Sequence, residues 1–198
     1  SSIAVYGPRK IDNASEQDII QPTTVYGNNK LIIEQYGSKV HEKSMSENKG
    51  IDFRSIRFPG VVSYDTIPSG GTTDYVPQMI DSAKNTKKFD CKLSPETILP
   101  FIGINKTISS IIDIMDLESI NSKLRVFNVQ EVSFSAKKLS DFLIEKFPSF
   151  EITFKEDKNF QSVADTWPSS LNCDKANKYW NFNSEKNFES FMKDMISK

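Results

Sequence analysis

The sequence predicts an α/β protein with a largely parallel sheet, and three observations carry that prediction. Residues 51–62 alternate apolar and polar side chains before passing into an apolar run broken by Pro59-Gly60, the pattern of a strand that ends at a proline. Ile108, Ile111, Ile112 and Met115 recur at helical spacing over residues 105–116. Along the rest of the chain, short apolar segments alternate with helical patterns of ten or more residues, as expected of strand–helix–strand units.

Each element has a local reason. Residues 3–6 (Ile-Ala-Val-Tyr) read as the tail of a buried strand closed by Gly7-Pro8, so the chain is expected to start in the middle of a sheet. Residues 9–22 are polar and irregular, a loop. Thr23 or Thr24 can cap a helix over 25–40, with Leu31, Ile32, Ile33 and Tyr36 on a stripe that could face a sheet. The charged run at 39–50 reads as a solvated excursion. Residues 63–71 form a Pro- and Gly-containing loop ending Ser69-Gly70-Gly71, and Thr72-Thr73-Asp74 opens a helix to about residue 84. Free amides at that helix start could hold a carboxylate. Short strands are expected at 88–93, 125–129 and 150–154, and 98–104 is another apolar segment, interrupted by Pro100 and Gly103. Ser135 caps a helix carrying Leu139, Phe142, Leu143 and Phe147. Residues 163–168 make a compact polar-aromatic turn, and helices at 174–179 and 185–196 close the chain, with Phe188, Phe191 and Met195 in the core. Because ligands of open α/β sheets bind beyond the carboxyl ends of strands, residues 58–62 are a candidate site wall.

Bulk properties narrow the function. The 198 residues carry 25 basic and 26 acidic side chains, net charge -1, which gives no sign of a nucleic-acid surface. No apolar run is long enough to span a bilayer, and residues 1–8 lack the basic start and long apolar stretch of a signal peptide. Cys91 and Cys173 match no metal spacing and are expected to be reduced, in a cytosol-like compartment. His41 is the single histidine and lies in a polar run, so it is expected at the surface, and Ser-His hydrolase schemes lose their base. There is no internal repeat and no low-complexity segment.

Tyr26 and Lys30 supply the chemistry. Four residues apart on a helix, they share a face. An ammonium held near a phenol favours the phenolate, and such a phenol can take a proton from an alcohol or return it to a carbonyl.

Around that pair, Ser1-Ser2-Ile3-Ala4-Val5-Tyr6-Gly7-Pro8, Pro22-Thr23-Thr24-Val25-Tyr26-Gly27, Arg54-Ser55-Ile56-Arg57-Phe58-Pro59-Gly60, Gly70-Gly71-Thr72-Thr73-Asp74-Tyr75, Phe127-Asn128-Val129 and Ala164-Asp165-Thr166-Trp167-Pro168 stand in order. Together they resemble the extended short-chain dehydrogenase/reductase family, also described as NAD-dependent epimerase/dehydratases, and within it the short-chain-type L-threonine 3-dehydrogenases. The likeness runs nearly end to end. Tyr-x-x-x-Lys alone is a weak pattern; the flanking segments make it specific. Asn29 departs from the small residue usual before the lysine, and 39–50 is a few residues longer than usual.

The resemblance implies a partial Rossmann-type, doubly wound parallel sheet lacking its first strands, with a small C-terminal substrate-binding subdomain. Residues 1–66 would be the C-terminal part of the NAD-binding domain with the catalytic residues. Residues 67–198 would be mainly substrate-binding, with segments around 98–130 returning to the Rossmann domain. The family's glycine-rich phosphate loop does not occur in these residues, so a fragment or a truncated product is expected, inactive alone. The implied reaction is oxidation of L-threonine to 2-amino-3-oxobutanoate with hydride passing to NAD. Tyr26 is the implied base. Lys30 tunes Tyr26 and holds the nicotinamide ribose, and Ser2 orients the substrate oxygen. Phe58, Pro59, Gly60 and Val61, with Tyr26 and Lys30, would contact the cofactor. Ser1, Ser2, Tyr26, Gly71, Thr72, Thr73 and Trp167 would contact the substrate, with no metal. A homodimer pairing helices, that of Tyr26 included, and a cytoplasmic location (or mitochondrial) are implied, with no nucleic-acid or membrane partner. The alternatives are a nucleotide-sugar epimerase or dehydratase, and a non-catalytic remnant acting as an interaction protein.

Overall fold

A computed structural model describes residues 1–8, 10–47, 50–63, 66, 70–121, 123–183 and 186–196. The tip of the expected charged excursion (48–49), most of the 63–71 loop including Ser69, and the start of the last expected helix at Glu185 lie outside the described residues.

The element order is a short 3-10 turn (Ile3–Val5), α1 (Val25–Ser46), β1 (Ser55–Arg57), β2 (Gly60–Val62), α2 (Tyr75–Lys84), β3 (Lys88–Cys91), β4 (Ile98–Gly103), α3 (Ile104–Asp116), β5 (Val126–Asn128), β6 (Val132–Ser135), α4 (Ala136–Lys146), β7 (Glu151–Phe154), α5 (Lys158–Ala164), α6 (Asp174–Trp180) and α7 (Phe188–Ile196). The strands form three small sheets, β1-β5, β2-β4-β6 and β3-β7. The pairings β1-β5, β2-β4 and β3-β7 are parallel, and β4-β6 is antiparallel. The α/β architecture with largely parallel pairing is therefore present, as the sequence predicts.

Pro59 divides the expected strand at 51–62 into two. Lacking an N–H, it has nothing to donate to β5, the neighbour of β1. β1 before it pairs with β5, and β2 after it pairs with β4. The chain thus passes from one sheet to another at Phe58-Pro59, and each sheet has its own core. One core packs α2, α4 and α7 onto β4 and β6, with the Phe101 and Phe134 rings stacked at 4.4 Å between centroids. The other gathers Ile3, Val5, Tyr6, Ile56, Phe127, Val129 and Phe182. Trp167 packs against both. Phe188, Phe191 and Met195 are buried as expected.

Four expectations are corrected. Residues 3–5 are buried but turn as a 3-10 helix rather than a strand: Ser2 caps it, Oγ accepting from Ala4 N, and only Ser2 pairs in a ladder, with Phe58. Helix α1 runs to Ser46 rather than stopping at 40, because the charged run holds no glycine or proline before Gly50 and polarity alone does not stop a helix. The stripe of Ile32, Ile33 and Tyr36 does not face a sheet; these side chains are 60%, 56% and 69% exposed. The face that packs is Gly27, Glu34, Gly37 and Ser44, since the helix lies so close to its neighbours that a Cβ at Gly27 would stand 2.1 Å from Ala4 O, and one at Gly37 2.2 Å from the Phe53 ring. His41 is half-buried, with Nδ1 3.1 Å from Ile51 O, rather than a surface side chain. Two elements carried no sequence expectation: strand β6 and helix α5. Cys91 and Cys173 are buried and are not joined in a disulfide, and the Cys173 thiol donates to Leu171 O at 3.7 Å.

Candidate active site

Three backbone segments carry most of the site, and Val163 and Trp167, at and just after the end of α5, close its remaining side. Two hydrogen bonds, Ile3 N to Phe58 O (3.0 Å) and Phe58 N to Ser1 O (3.4 Å), bracket Ser2 against the end of β1. Helix α1 starts at Thr24, whose Oγ1 accepts from Gly27 N at 3.0 Å, and its first turn lies directly on the Ser2 turn through Gly27. The third segment leads into α2. There Asp74 accepts from Gly71 N at 2.6 Å, and no side chain caps the helix.

These segments enclose a cavity of about 460 Å³ lined by Ser2, Ile3, Thr24, Tyr26, Pro59, Gly60, Gly70, Gly71, Thr72, Thr73, Val163 and Trp167. That size suits a small organic ligand. Of the expected residues, Ser2, Tyr26, Pro59, Gly60, Gly71, Thr72, Thr73 and Trp167 meet in it. Ser1, Lys30, Phe58 and Val61 do not line it. Lys30 stands behind Tyr26, with Nζ 5.2 Å from the ring centroid. Ser1 Oγ donates to Glu34, Phe58 is engaged in pairing with Ser2, and Val61 is part-exposed on β2. Ile3, Thr24, Gly70 and Val163 join the wall without a sequence expectation of a site. Asp165, adjacent to the wall, accepts from Gln161 Nε2 at 2.7 Å.

The chemistry available follows from these contacts. Ser2 Oγ accepts from Ala4 N at 3.2 Å, which leaves its O–H able to donate toward the cavity. At Gly60 a Cβ would meet Phe101 at 2.6 Å and Thr73 at 2.9 Å, so bare backbone forms that wall. Because Asp74 already occupies the Gly71 amide, a ligand carboxylate at this end would be met by the Thr72 and Thr73 hydroxyls rather than by that N–H.

Behind the cavity lies a buried polar network that sequence reasoning missed. Arg57 is fully buried and pairs bidentately with Glu34, Nε to Oε1 at 2.9 Å and Nη2 to Oε2 at 2.8 Å. Its Nη1 donates to Tyr6 Oη at 2.9 Å, and that hydroxyl stands 2.9 Å from both Asn128 Oδ1 and Ser15 O, with one proton to give. Asn128 N donates to Glu16 Oε1 at 2.8 Å. Burial alone would lower the Arg57 pKa; the bonds to Glu34 reverse this and raise it. Burial raises the Tyr6 phenol, against the pull of Arg57 and Asn128. The signal was available: an arginine between Ile56 and Phe58 in a buried strand requires a buried partner.

The parallel α/β pairing and the pocket beside it are of the Rossmann-like kind. Comparison with known proteins is consistent with this: the chain is a homologue of L-threonine dehydrogenases of the extended short-chain type and of epimerase/dehydratases. It is 32% identical over 202 residues to the mitochondrial L-threonine 3-dehydrogenase of Sus scrofa, covering 100% of this chain and 52% of that protein. An uncharacterized epimerase/dehydratase of Staphylococcus saprophyticus is 29% identical over 199 residues, covering 99% of this chain and 60% of its own length. The crystal structure of L-threonine dehydrogenase from Phytophthora infestans superposes with a TM-score of 0.90 at 32% identity, over 100% of this chain and 62% of that one. The chain thus spans between half and two thirds of the length of these relatives. No protein-family model matches it.

Proposed function

We propose that these residues are the catalytic and substrate-facing part of an NAD-dependent L-threonine 3-dehydrogenase. The observation that carries the reading is the convergence of Ser2, Tyr26, Thr72, Thr73 and Trp167 on one cavity, with Lys30 beside Tyr26. The relatives' names supply the substrate. In this reading L-threonine enters with its carboxylate toward Thr72 and Thr73. Ser2 donates a hydrogen bond to the hydroxyl oxygen that becomes the ketone, and Tyr26 removes that hydroxyl's proton. Lys30 holds positive charge beside the Tyr26 ring and offsets the negative charge of the phenolate oxygen, which becomes the neutral phenol as it takes the proton. Trp167 and Val163 exclude water from the opposite wall. NAD, when bound, would accept the hydride; Pro59 and the bare backbone at Gly60 suit the flat face of a nicotinamide, with Phe58 and Val61 flanking, and Tyr26 and Lys30 are placed for its ribose.

The test is NAD reduction by a full-length natural form of the protein, with L-threonine and UDP-sugars offered side by side. L-threonine is expected to support reduction, and Tyr26→Phe to lower kcat by about a hundredfold or more. Turnover of a UDP-sugar with none of L-threonine would overturn the reading in favour of an epimerase or dehydratase.

A further inference from the structure

The network of Glu34, Arg57, Tyr6 and Asn128 has no part in the reaction just described, yet it joins the three segments that carry Ser2, Tyr26 and Pro59 into the cavity wall. Glu34 lies on α1 one turn beyond Lys30 and two beyond Tyr26. Arg57 is the last residue of β1, immediately before Phe58, which brackets Ser2. Tyr6 ends the turn that Ser2 begins, its N–H donating to Ile3 O at 3.0 Å. Ser1 Oγ adds a direct bond from that turn to Glu34. The segments bearing Tyr26 and Lys30, Pro59 and Gly60, and Ser2 therefore meet at one ion pair.

Stability is a weak reason for such a pair. Desolvation offsets most of the attraction between buried charges, and apolar replacements are often equally stable. A bidentate guanidinium–carboxylate contact instead fixes geometry, in both distance and angle. We propose that Glu34 is a positioning residue: through Arg57 and Tyr6 it sets the separation of the Ser2 hydroxyl from Tyr26 and Lys30. Only the kinetic half of its test rests on the threonine dehydrogenase reading.

Glu34→Gln and Tyr6→Phe would be made in a full-length natural form of the protein. Kinetics with L-threonine and NAD would be run beside residue-resolved amide hydrogen exchange. Glu34→Gln is expected to lower kcat about tenfold or more with KM held within about twofold, the mark of misplaced reacting groups. Exchange at Ala4 and Tyr6 should quicken by a similar factor, since the Ala4 amide is bonded to Ser2 Oγ itself, while Leu99, Phe101 and Ile102 in β4 stay unchanged. Tyr6→Phe removes one oxygen and should give the same pattern at smaller amplitude, so it decides the matter if Glu34→Gln does not fold. Unchanged exchange at Ala4, with or without a fall in kcat, overturns the proposal, as does quickening spread equally over β4. If the wild-type protein leaves L-threonine untouched, the functional reading fails and the exchange comparison still decides the positioning role.

Discussion

Tyr26 lies against the Ser2 turn because the residue after it has no side chain. A methyl group at Gly27 would fall 2.1 Å from Ala4 O and 2.9 Å from Pro22 Cβ, and both contacts are with rigid groups. Gly27→Ala must therefore push α1 away from the turn that carries Ser2. We expect it to lower stability by about 2 kcal/mol, read as a fall in the urea midpoint at constant slope, and to reduce kcat. Full activity in Gly27→Ala would show that the approach is not needed. The catalytic candidates were legible from the sequence because their segments follow a family pattern, and eight of them share the cavity. Glu34 and Arg57 were not, since a charged residue gives no sign in a sequence of which opposite charge it will meet. Only the demand that a buried arginine be paired was visible in advance.

Among the elements, the error over α1 has a physical origin. Ile32, Ile33 and Tyr36 form a plausible inward stripe by periodicity, but close backbone approach at Gly27 and Gly37 outweighs apolar content in choosing the packed face. Strand β6 was hidden because its four residues run directly into the Ser135 cap of α4. Helix α6 shows a side chain tying two elements together. Lys175 Nζ donates to Val126 O at 2.9 Å and to Leu124 O, 4.4 Å from the centre of the Phe127 ring. Burial pushes its pKa down from 10.5 to about 8, with Arg57 and Arg125 adding to the effect and Glu16 opposing it. A lysine lowered in the folded state destabilises it while both states are protonated, below about 8. Between there and 10.5 the unfolded chain holds the proton that the folded chain has released, so stability rises with pH. The unfolding midpoint of the wild type should thus climb more steeply from pH 8 to 9 than that of Lys175→Met, which keeps the buried Cys91 thiol and its opposing titration above pH 9. Identical slopes would refute the assignment.

For the molecule as a whole, α1 presents Ile32, Ile33 and Tyr36 outward together with the exposed Val25, and α3 presents Ile108, Ile111, Ile112 and Met115. Faces of this kind usually meet another surface. Taken with the dimer that the resemblance implies, the expected state is a homodimer through α1. Ile33→Glu should shift the mass seen by sedimentation from dimer to monomer without unfolding the chain, and a wild-type protein that sediments as a monomer would rule the dimer out. The parallel α/β plan was readable from alternating elements. Its division into three small sheets was not, because a strand broken by one proline looks like one strand with a blemish.

That proline also has a consequence for where the chain turns. Backbone groups alternate in direction here: Ser55 N donates to Arg125 O on the β5 side, whereas Phe58 N donates to Ser1 O on the other. Pro59 falls in the set that faces β5, so the hydrogen it lacks is one that β5 would have used, and that pairing ends at Arg57 and Asn128. On the Ser2 side the stop is a different one, because the Ile3 carbonyl that a longer pairing would need already accepts from Tyr6 N. Two unrelated stops, one on each edge, thus turn the chain at Pro59 and Gly60, where it borders the cavity.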